Sequence, residues 1–172
     1  GGTSAGIQAG MDAAQRLVMQ ISGQQRETCD ISNLTMAIKC GGSDTTSGMA
    51  SNCVIGYVAD KLVDLGATVV FGETTEFLGG EHILASRAVG GPDGPVAKKI
   101  YEIVERMENR AKAIGEDMRG GQPTPGNIAG GLSSIEEKSL GAIVKSGHRP
   151  IQGVLEYTDR ITDQKGLYTA DP

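Results

Sequence analysis

Residues 68–76 read TVVFGETTE, a short apolar run followed by a glycine and by acidic and hydroxyl side chains. The first four residues are apolar or β-branched without polar alternation, which is typical of a strand buried in a parallel sheet. Similar runs at 34–38 and 151–157 predict two further strands. Helical patterns separate the three runs, so we expect them to share one mainly parallel sheet.

Apolar residues recur at helical spacing between and before these strands. The predicted helices are a first stripe (Ile7, Met11, Ala14, Val18, Ile21), a second stripe (Val54, Val58, Leu62, Leu65), a short helix at 81–89, a long one at 96–114 and one at 134–145 that a capping box opens. The predicted fold is α/β, a layered and mainly parallel sheet with helices on both faces. We expect residues 1–172 to form a single domain.

Charge and composition exclude several classes of partner. The chain has 21 acidic and 16 basic residues, a net charge of −5 and 3% aromatic residues, and no basic cluster suited to nucleic acid. No apolar run approaches the ~20 residues that cross a bilayer. Without a signal-peptide pattern at the amino terminus, we expect a cytoplasmic protein. Cys29, Cys40 and Cys53 lack disulfide or zinc spacing and are predicted to be free thiols.

A first polar cluster follows the strand at 34–38. It contains Cys40, Gly41, Gly42, Ser43 and Asp44. Paired glycines allow a ligand to approach the backbone, and the hydroxyls that follow can donate to an anion. No nucleotide-binding pattern is present, so a carboxylate is a better candidate ligand than a pyrophosphate. An ordinary turn between a strand and a helix explains the same residues about equally well.

A second cluster, Glu73, Glu76, Glu81 and His82, follows the strand at 68–71. Carboxylates and an imidazole can hold a divalent metal or transfer protons. From the residues alone, a solvated acidic loop is the better explanation. The segment 122–131 has no regular pattern, and Asn127 is its side chain best suited to a hydroxyl or carboxylate, although a stiff connector fits too.

Three segments together resemble one known family. These are Lys39–Asp44 (KCGGSD), Glu73–Glu76 (ETTE) with Glu81 and His82, and 125–141, which contains PGN, GGL and EKSLG. In order and spacing they are similar to the altronate and galactarate dehydratases. The resemblance implies a lyase that removes water from a sugar acid such as altronate or galactarate to give a 2-keto-3-deoxy acid. It implies a divalent metal, Fe²⁺ or Mn²⁺, and includes a sister branch that releases sulfite from sulfolactate.

On this resemblance, residues of the two clusters receive expected roles. The metal ligands are Cys40, Glu73 and Glu76; the proton-transfer groups are Glu81 and His82; and the substrate-binding residues are Gly41, Gly42, Ser43, Asp44 and Asn127. His82 is the preferred proton-transfer group because an imidazole titrates near neutral pH. We expect neither Glu81 nor His82 to be a core residue.

The resemblance also concerns partners. Family members are longer, so we expect this chain to be a fragment that folds but is inactive alone. The expected partners are a small hydroxy acid and the remaining domains or a small subunit of the same enzyme, with assembly into a homo-oligomer also compatible. A non-catalytic module that binds a sugar acid without turnover is the alternative of another class.

Overall fold

A computed structural model describes residues 2–161 and 165–170. In this part of the chain, four strands form one parallel sheet in the order β1-β2-β4-β3: β1 (Thr35–Ile38), β2 (Thr68–Phe71), β3 (Ile151–Leu155) and β4 (Gly166–Ala170). The helices packed around it are α2 (Asn52–Asp64), α3 (Glu81–Ser86), α4 (Pro95–Ala113), α5 (Pro125–Ala129) and α6 (Ile135–Val144), and α1 (Thr3–Ile21) precedes them. The predicted α/β class and the three predicted parallel strands are confirmed.

The strand β4 was not predicted, because its sequence GLYTA follows a polar stretch and mixes small and polar residues. It lies between β2 and β3, with Leu167 paired to Val69. Leu167 and Thr169 are each 1% exposed, and the Thr169 hydroxyl donates to the Phe71 carbonyl at 3.1 Å. A hydroxyl satisfied in this way can be buried at little cost, which hides a core strand from a hydrophobicity pattern.

Helix α2 buries a different face from the one predicted. Val54 and Val58 are exposed, whereas Gly56 and Ala59 are buried. A Cβ added at Gly56 would lie 2.2 Å from the Val144 carbonyl oxygen, so the backbones of α2 and α6 meet there. A small residue is needed at this contact, because a larger side chain would not permit the approach. Of the predicted stripe, Leu62 packs against the core, whereas Val54, Val58 and Leu65 are exposed.

Helix α1 forms where its apolar stripe predicted it, but it buries no residue. Ile7, Met11 and Val18 are about 60% exposed (59%, 61% and 60%). None of the described helices combines the length and the apolar character needed to span a membrane. Helix α4, in contrast, contributes to the hydrophobic core, where its Ile100 and Ile103 are fully buried.

The segment 122–131 was predicted to lack regular structure, and this was wrong. It contains the short helix α5, which Thr124 begins: its hydroxyl accepts from the Asn127 backbone, and the Asn127 side chain accepts from the Thr124 backbone. Pro125 occupies the first helical position, where its missing N–H costs nothing. Five residues are too few for helical periodicity, so only the capping signal could have revealed α5.

Candidate functional site

The two polar clusters meet because β1 and β2 are adjacent parallel strands. Ile38 pairs with Phe71 at the carboxyl ends of these strands, and the Gly72 amide donates to the Ile38 carbonyl at 3.1 Å. Cys40 and Glu73 therefore leave the sheet side by side. This edge is where ligands bind in open α/β sheets.

A tight turn brings Glu76 back towards Glu73. The amides of Glu76 and Phe77 both donate to the Glu73 carbonyl, at 2.9 and 3.1 Å. The Phe77 ring packs on Phe71, with ring centroids 5.9 Å apart, and the Thr74 hydroxyl donates to the Ala170 carbonyl of β4 at 3.0 Å. The turn is thus anchored in the core on one side and to the sheet on the other.

The result is a carboxylate–thiol cluster of Cys40, Glu73 and Glu76. One potential ligand atom from each residue lies within 4.8 Å of the other two. Glu73 is fully buried, and its Oε2 has no hydrogen-bond partner among the described residues. A buried carboxylate oxygen without a partner carries a free-energy cost that a cation at this position would remove. The donor set, two carboxylates and a thiol, is therefore chemically able to hold a divalent metal ion.

Two lysines flank the cluster. The Lys145 ammonium donates to Glu73 Oε1 at 2.7 Å, with side chains only 5% and 0% exposed, and the more exposed Lys39 binds Glu76 Oε2 at 2.9 Å. Burial raises the pKa of Glu73, and Lys145 offsets only part of this effect. Burial also acts to raise the pKa of Glu76, but hydrogen bonds from Thr75 and Lys39 outweigh it, so this pKa lies below its ordinary value. The two carboxylates thus differ in their tendency to ionise.

The loop after β1 supplies polar groups next to the cluster. The Ser43 hydroxyl lies 3.2 Å from Cys40 Sγ. Asp44 Oδ1 accepts from the Ser47 amide at 2.7 Å and from the Thr46 and Ser47 hydroxyls, and these bonds, the amide first, lower its pKa. Asp44 thereby holds the start of a π-helical turn at Ser47–Ser51, a feature frequent at functional sites. Gly41 and Gly42 are exposed, and no described atom lies within 4 Å of a Cβ built on either.

Asn127 joins this loop to α5 and α6. Its Nδ2 donates to the Ser43 carbonyl at 3.0 Å, and its Oδ1 accepts from the Thr124 hydroxyl at 2.9 Å and from Lys138 Nζ at 3.0 Å. The structure therefore brings the predicted substrate residues Ser43, Asp44 and Asn127 together around Lys138. Both polar atoms of the Asn127 side chain are therefore already hydrogen-bonded to other residues of the protein.

Glu81 and His82 lie at the start of α3. His82 is exposed, and the structure does not bring it into the carboxylate–thiol cluster as that cluster stands in the described residues. Glu81 is only 8% exposed, so the expectation that it lies outside the core was wrong. Its burial is possible because Glu81 Oε1 accepts from Arg119 at 2.8 Å and from the Gly79 amide at 2.9 Å. The proton-transfer roles of both residues stay predictions.

Sequence reasoning missed two buried lysines, Lys138 and Lys145. Lys145 directly follows the apolar pair Ile143–Val144 at the end of α6, and a buried lysine signals a partner carboxylate. Lys138 lies within the EKSLG segment that supports the resemblance, but solvent-exposed lysines are common near helix starts. Only the tertiary structure shows that each ammonium faces a site residue.

The similarity to known proteins extends over most of the chain. Residues 31–172 match the family model described as D-galactarate/altronate dehydratase, C-terminal. The chain is 43% identical over 159 residues to (2R)-sulfolactate sulfo-lyase subunit beta of Chromohalobacter salexigens, covering 92% of this chain and 40% of that protein. It is 40% identical over 162 residues to the L-threo-forming galactarate dehydratase of Escherichia coli, covering 94% and 30%. It is 34% identical over 165 residues to altronate dehydratase of Bacillus subtilis, covering 94% and 31%. The chain thus spans less than half the length of these relatives.

Proposed function

The chain belongs to the D-galactarate/altronate dehydratase family, and we propose that it forms the metal-binding part of a lyase acting on hydroxylated acids. The carboxylate–thiol cluster is the observation that carries this proposal. Its three side chains come from two separate segments, and it places an unpartnered buried oxygen, Glu73 Oε2, beside a second carboxylate and a thiol. A non-catalytic binding module would not need this donor set.

The reaction is the elimination of a β-substituent. The C–H bond next to the acid's carboxylate breaks, its electron pair forms the new C=C bond, and the substituent leaves from the neighbouring carbon with its bonding electrons. When the leaving group is hydroxide, protonation makes it water, and the resulting enol rearranges to a 2-keto-3-deoxy acid. The reaction as a whole thus needs a proton acceptor for the C–H bond, stabilisation of the negative charge that develops, and a proton donor for the leaving group.

Cys40, Glu73 and Glu76 would hold the divalent metal, Fe²⁺ or Mn²⁺. Such an ion supplies Lewis-acid stabilisation for the negative charge that develops on the substrate. Lys145 fixes Glu73 Oε1 so that Oε2 points away from the ion pair, and Lys39 with Thr75 keeps Glu76 ionised. The protein therefore orients both carboxylates before any ligand arrives.

For proton transfer we retain His82 as the proposed acceptor, with Glu81 beside it. The turns at Glu73–Phe77 and Phe77–Gly80 lead directly from the cluster into α3, where His82 is exposed in the first turn. Arg119 and the Gly79 amide hold the Glu81 carboxylate, which fixes the first turn of α3. Gly41, Gly42, Ser43 and Asp44 are proposed to contact the hydroxyls and carboxylate of the substrate.

A second candidate reaction expels sulfite from a sulfonated hydroxy acid. The chain is 43% identical to a sulfolactate sulfo-lyase subunit and 40% identical to galactarate dehydratase, so these comparisons favour release of sulfite as much as loss of water. That relative is named as a subunit, and we propose that the whole protein of the present chain also works with further domains or a small subunit. The cleavage chemistry at the proton-bearing carbon is the same in both reactions.

Turnover of three acids tests the proposal. The whole protein, supplied with Fe²⁺ or Mn²⁺, is incubated with galactarate, altronate and sulfolactate, and 2-keto acid and sulfite are measured. We expect one acid to be consumed, with loss of activity after chelation and in Glu76→Gln but not in Glu102→Gln, an exposed position on α4. Absence of turnover on all three acids, or full activity of Glu76→Gln, would contradict the proposed function.

A further inference from the structure

Lys138 is a buried lysine whose two hydrogen-bond partners are neutral side chains. Its residue is 8% exposed, and its Nζ donates to two amide oxygens, Gln122 Oε1 and Asn127 Oδ1. In the described residues, 2–161 and 165–170, no carboxylate forms an ion pair with it. Lys145, the buried lysine directly after α6, differs in this respect because it forms an ion pair with Glu73.

Neither of these hydrogen-bond partners supplies a counter-charge to the lysine. Removing an ammonium from water is costly, and two amide oxygens repay only part of that cost. An ammonium has three N–H donors, and the two amides use two of them. A ligand with negative charge would both neutralise Lys138 and occupy the third donor.

Lys138 also lines a cavity of about 310 Å³ between the Ser47–Ser51 turn and α6. This volume is at the lower end of the ~300–1,000 Å³ of small-molecule sites. Ser43, Asp44, Thr45 and Ser47 line the same cavity, and Leu132 and Leu140 close it with apolar surface. One cation, several hydroxyls and apolar walls suit a compact polar molecule.

Two carboxylates in the cavity wall, Asp44 and Glu137, would repel a simple anion, but their hydrogen bonds leave each of them able to bind a hydroxyl of a ligand. Asp44 Oδ1 accepts from the Ser47 amide, and Glu137 Oε2 accepts from the Ser133 amide and hydroxyl at 2.7 and 2.6 Å. Each carboxylate has a second oxygen, which can accept a hydroxyl from a ligand. A molecule with both a carboxylate and hydroxyls matches this mixture better than phosphate or a metal does.

We propose that Lys138 and this cavity bind the carboxylate end of a polyhydroxy acid, with Lys138 as the anion-binding residue. The inference deepens the proposed function and rests on it for the identity of the acid. The cavity adjoins the carboxylate–thiol cluster through Ser43, whose hydroxyl lies 3.2 Å from Cys40 Sγ. An acid held by Lys138 therefore extends towards the cluster.

Binding of an acid and of its neutral counterpart tests this inference without turnover. Galactarate and galactitol, which share a carbon skeleton and four hydroxyls but differ in charge at both ends, are titrated into the metal-free protein by calorimetry. We expect galactarate to bind and galactitol to bind about tenfold or more weakly, a difference of ~1.4 kcal/mol or more. Equal binding of the two, or no binding of galactarate, would overturn the inference.

Variants at position 138 locate the effect. Lys138→Met should weaken galactarate binding about tenfold or more, whereas Lys138→Arg should retain most of it and Lys98→Met, an exposed lysine on α4, should leave it unchanged. Binding by a folded Lys138→Met that equals the wild type would overturn the inference, and if that variant fails to fold, the comparison of acid and polyol decides. Acid binding with no turnover of any tested acid would sink the proposed function alone, whereas turnover without sensitivity to Lys138 would sink this inference alone.

Discussion

Replacing Lys145 by Met should destabilise the protein strongly, because it leaves the Glu73 carboxylate buried without its partner. The Nζ–Oε1 distance is 2.7 Å and the two side chains are 5% and 0% exposed. At an effective dielectric constant of about 20, the attraction at this distance is about 6 kcal/mol, from which the desolvation of both groups must be subtracted. Breaking a pair of this kind typically costs ~3–5 kcal/mol, and we expect a loss in that range at neutral pH.

Urea unfolding followed by circular dichroism measures the loss of unfolding free energy, and three comparisons test its cause. Lys39→Met removes the same chemical group from a pair in which the lysine is 54% exposed, so it should cost at most ~1 kcal/mol. The double variant Lys145→Met/Glu73→Gln removes both charges and should recover much of the stability. The loss in Lys145→Met should also shrink at acid pH, where Glu73 takes up a proton. A loss below ~1 kcal/mol for Lys145→Met would refute a buried, charge-dependent pair.

Three other predictions concern stability and activity. Burial acts to raise the pKa of Asp60, but hydrogen bonds from residues 148 and 149 outweigh it and lower this pKa, so the stabilisation is complete above the ordinary aspartate range and is lost as pH falls through the lowered pKa. The difference in unfolding free energy between wild type and Asp60→Asn should therefore narrow as pH falls below about 4, and a constant difference would contradict this. Gly56→Ala should lower the free energy of unfolding in urea by ~1–3 kcal/mol because the added Cβ meets a carbonyl oxygen, whereas Gly10→Ala, in open space on α1, should cause no loss. Equal effects of the two variants would contradict the packing of α2 on α6. Glu81→Gln should cost about 1–2 kcal/mol and His82→Ala less than ~0.5 kcal/mol, while both abolish turnover by the whole protein; wild-type turnover in both would exclude their proton-transfer roles.

The parts of the fold that could be predicted are those where hydrophobicity and secondary structure agree. The run Thr68–Phe71 is buried throughout, so its apolar pattern was sufficient to identify a central strand. Strand β4 was not predicted because its burial depends on hydrogen bonds of hydroxyl groups and on neighbours far along the chain. Helix α2 was placed correctly but oriented wrongly, since close backbone contact at Gly56 outweighs the larger apolar side chains in deciding which face is inside.

The candidate site could also be predicted from the sequence only in part. The meeting of Cys40 with Glu73 could be anticipated, because polar residues that follow neighbouring parallel strands reach the same sheet edge. The pairing of Lys145 with Glu73 could not, since 72 positions separate them and only the packing of α6 brings them together. The exposure of Glu81 was misjudged for the same reason, because Arg119 comes from a distant segment.

Cobalt binding tests the central claim, that Cys40, Glu73 and Glu76 form one metal site. Co²⁺ is titrated into the reduced protein under anaerobic conditions, and the absorbance of the thiolate-to-cobalt charge-transfer band is recorded. We predict that the band appears in the wild type and in Cys53→Ser, which lacks a different free thiol, and is absent from Cys40→Ser. Glu76→Gln should weaken binding about tenfold or more. A charge-transfer band of wild-type intensity in Cys40→Ser, or unchanged affinity in Glu76→Gln, would contradict the account.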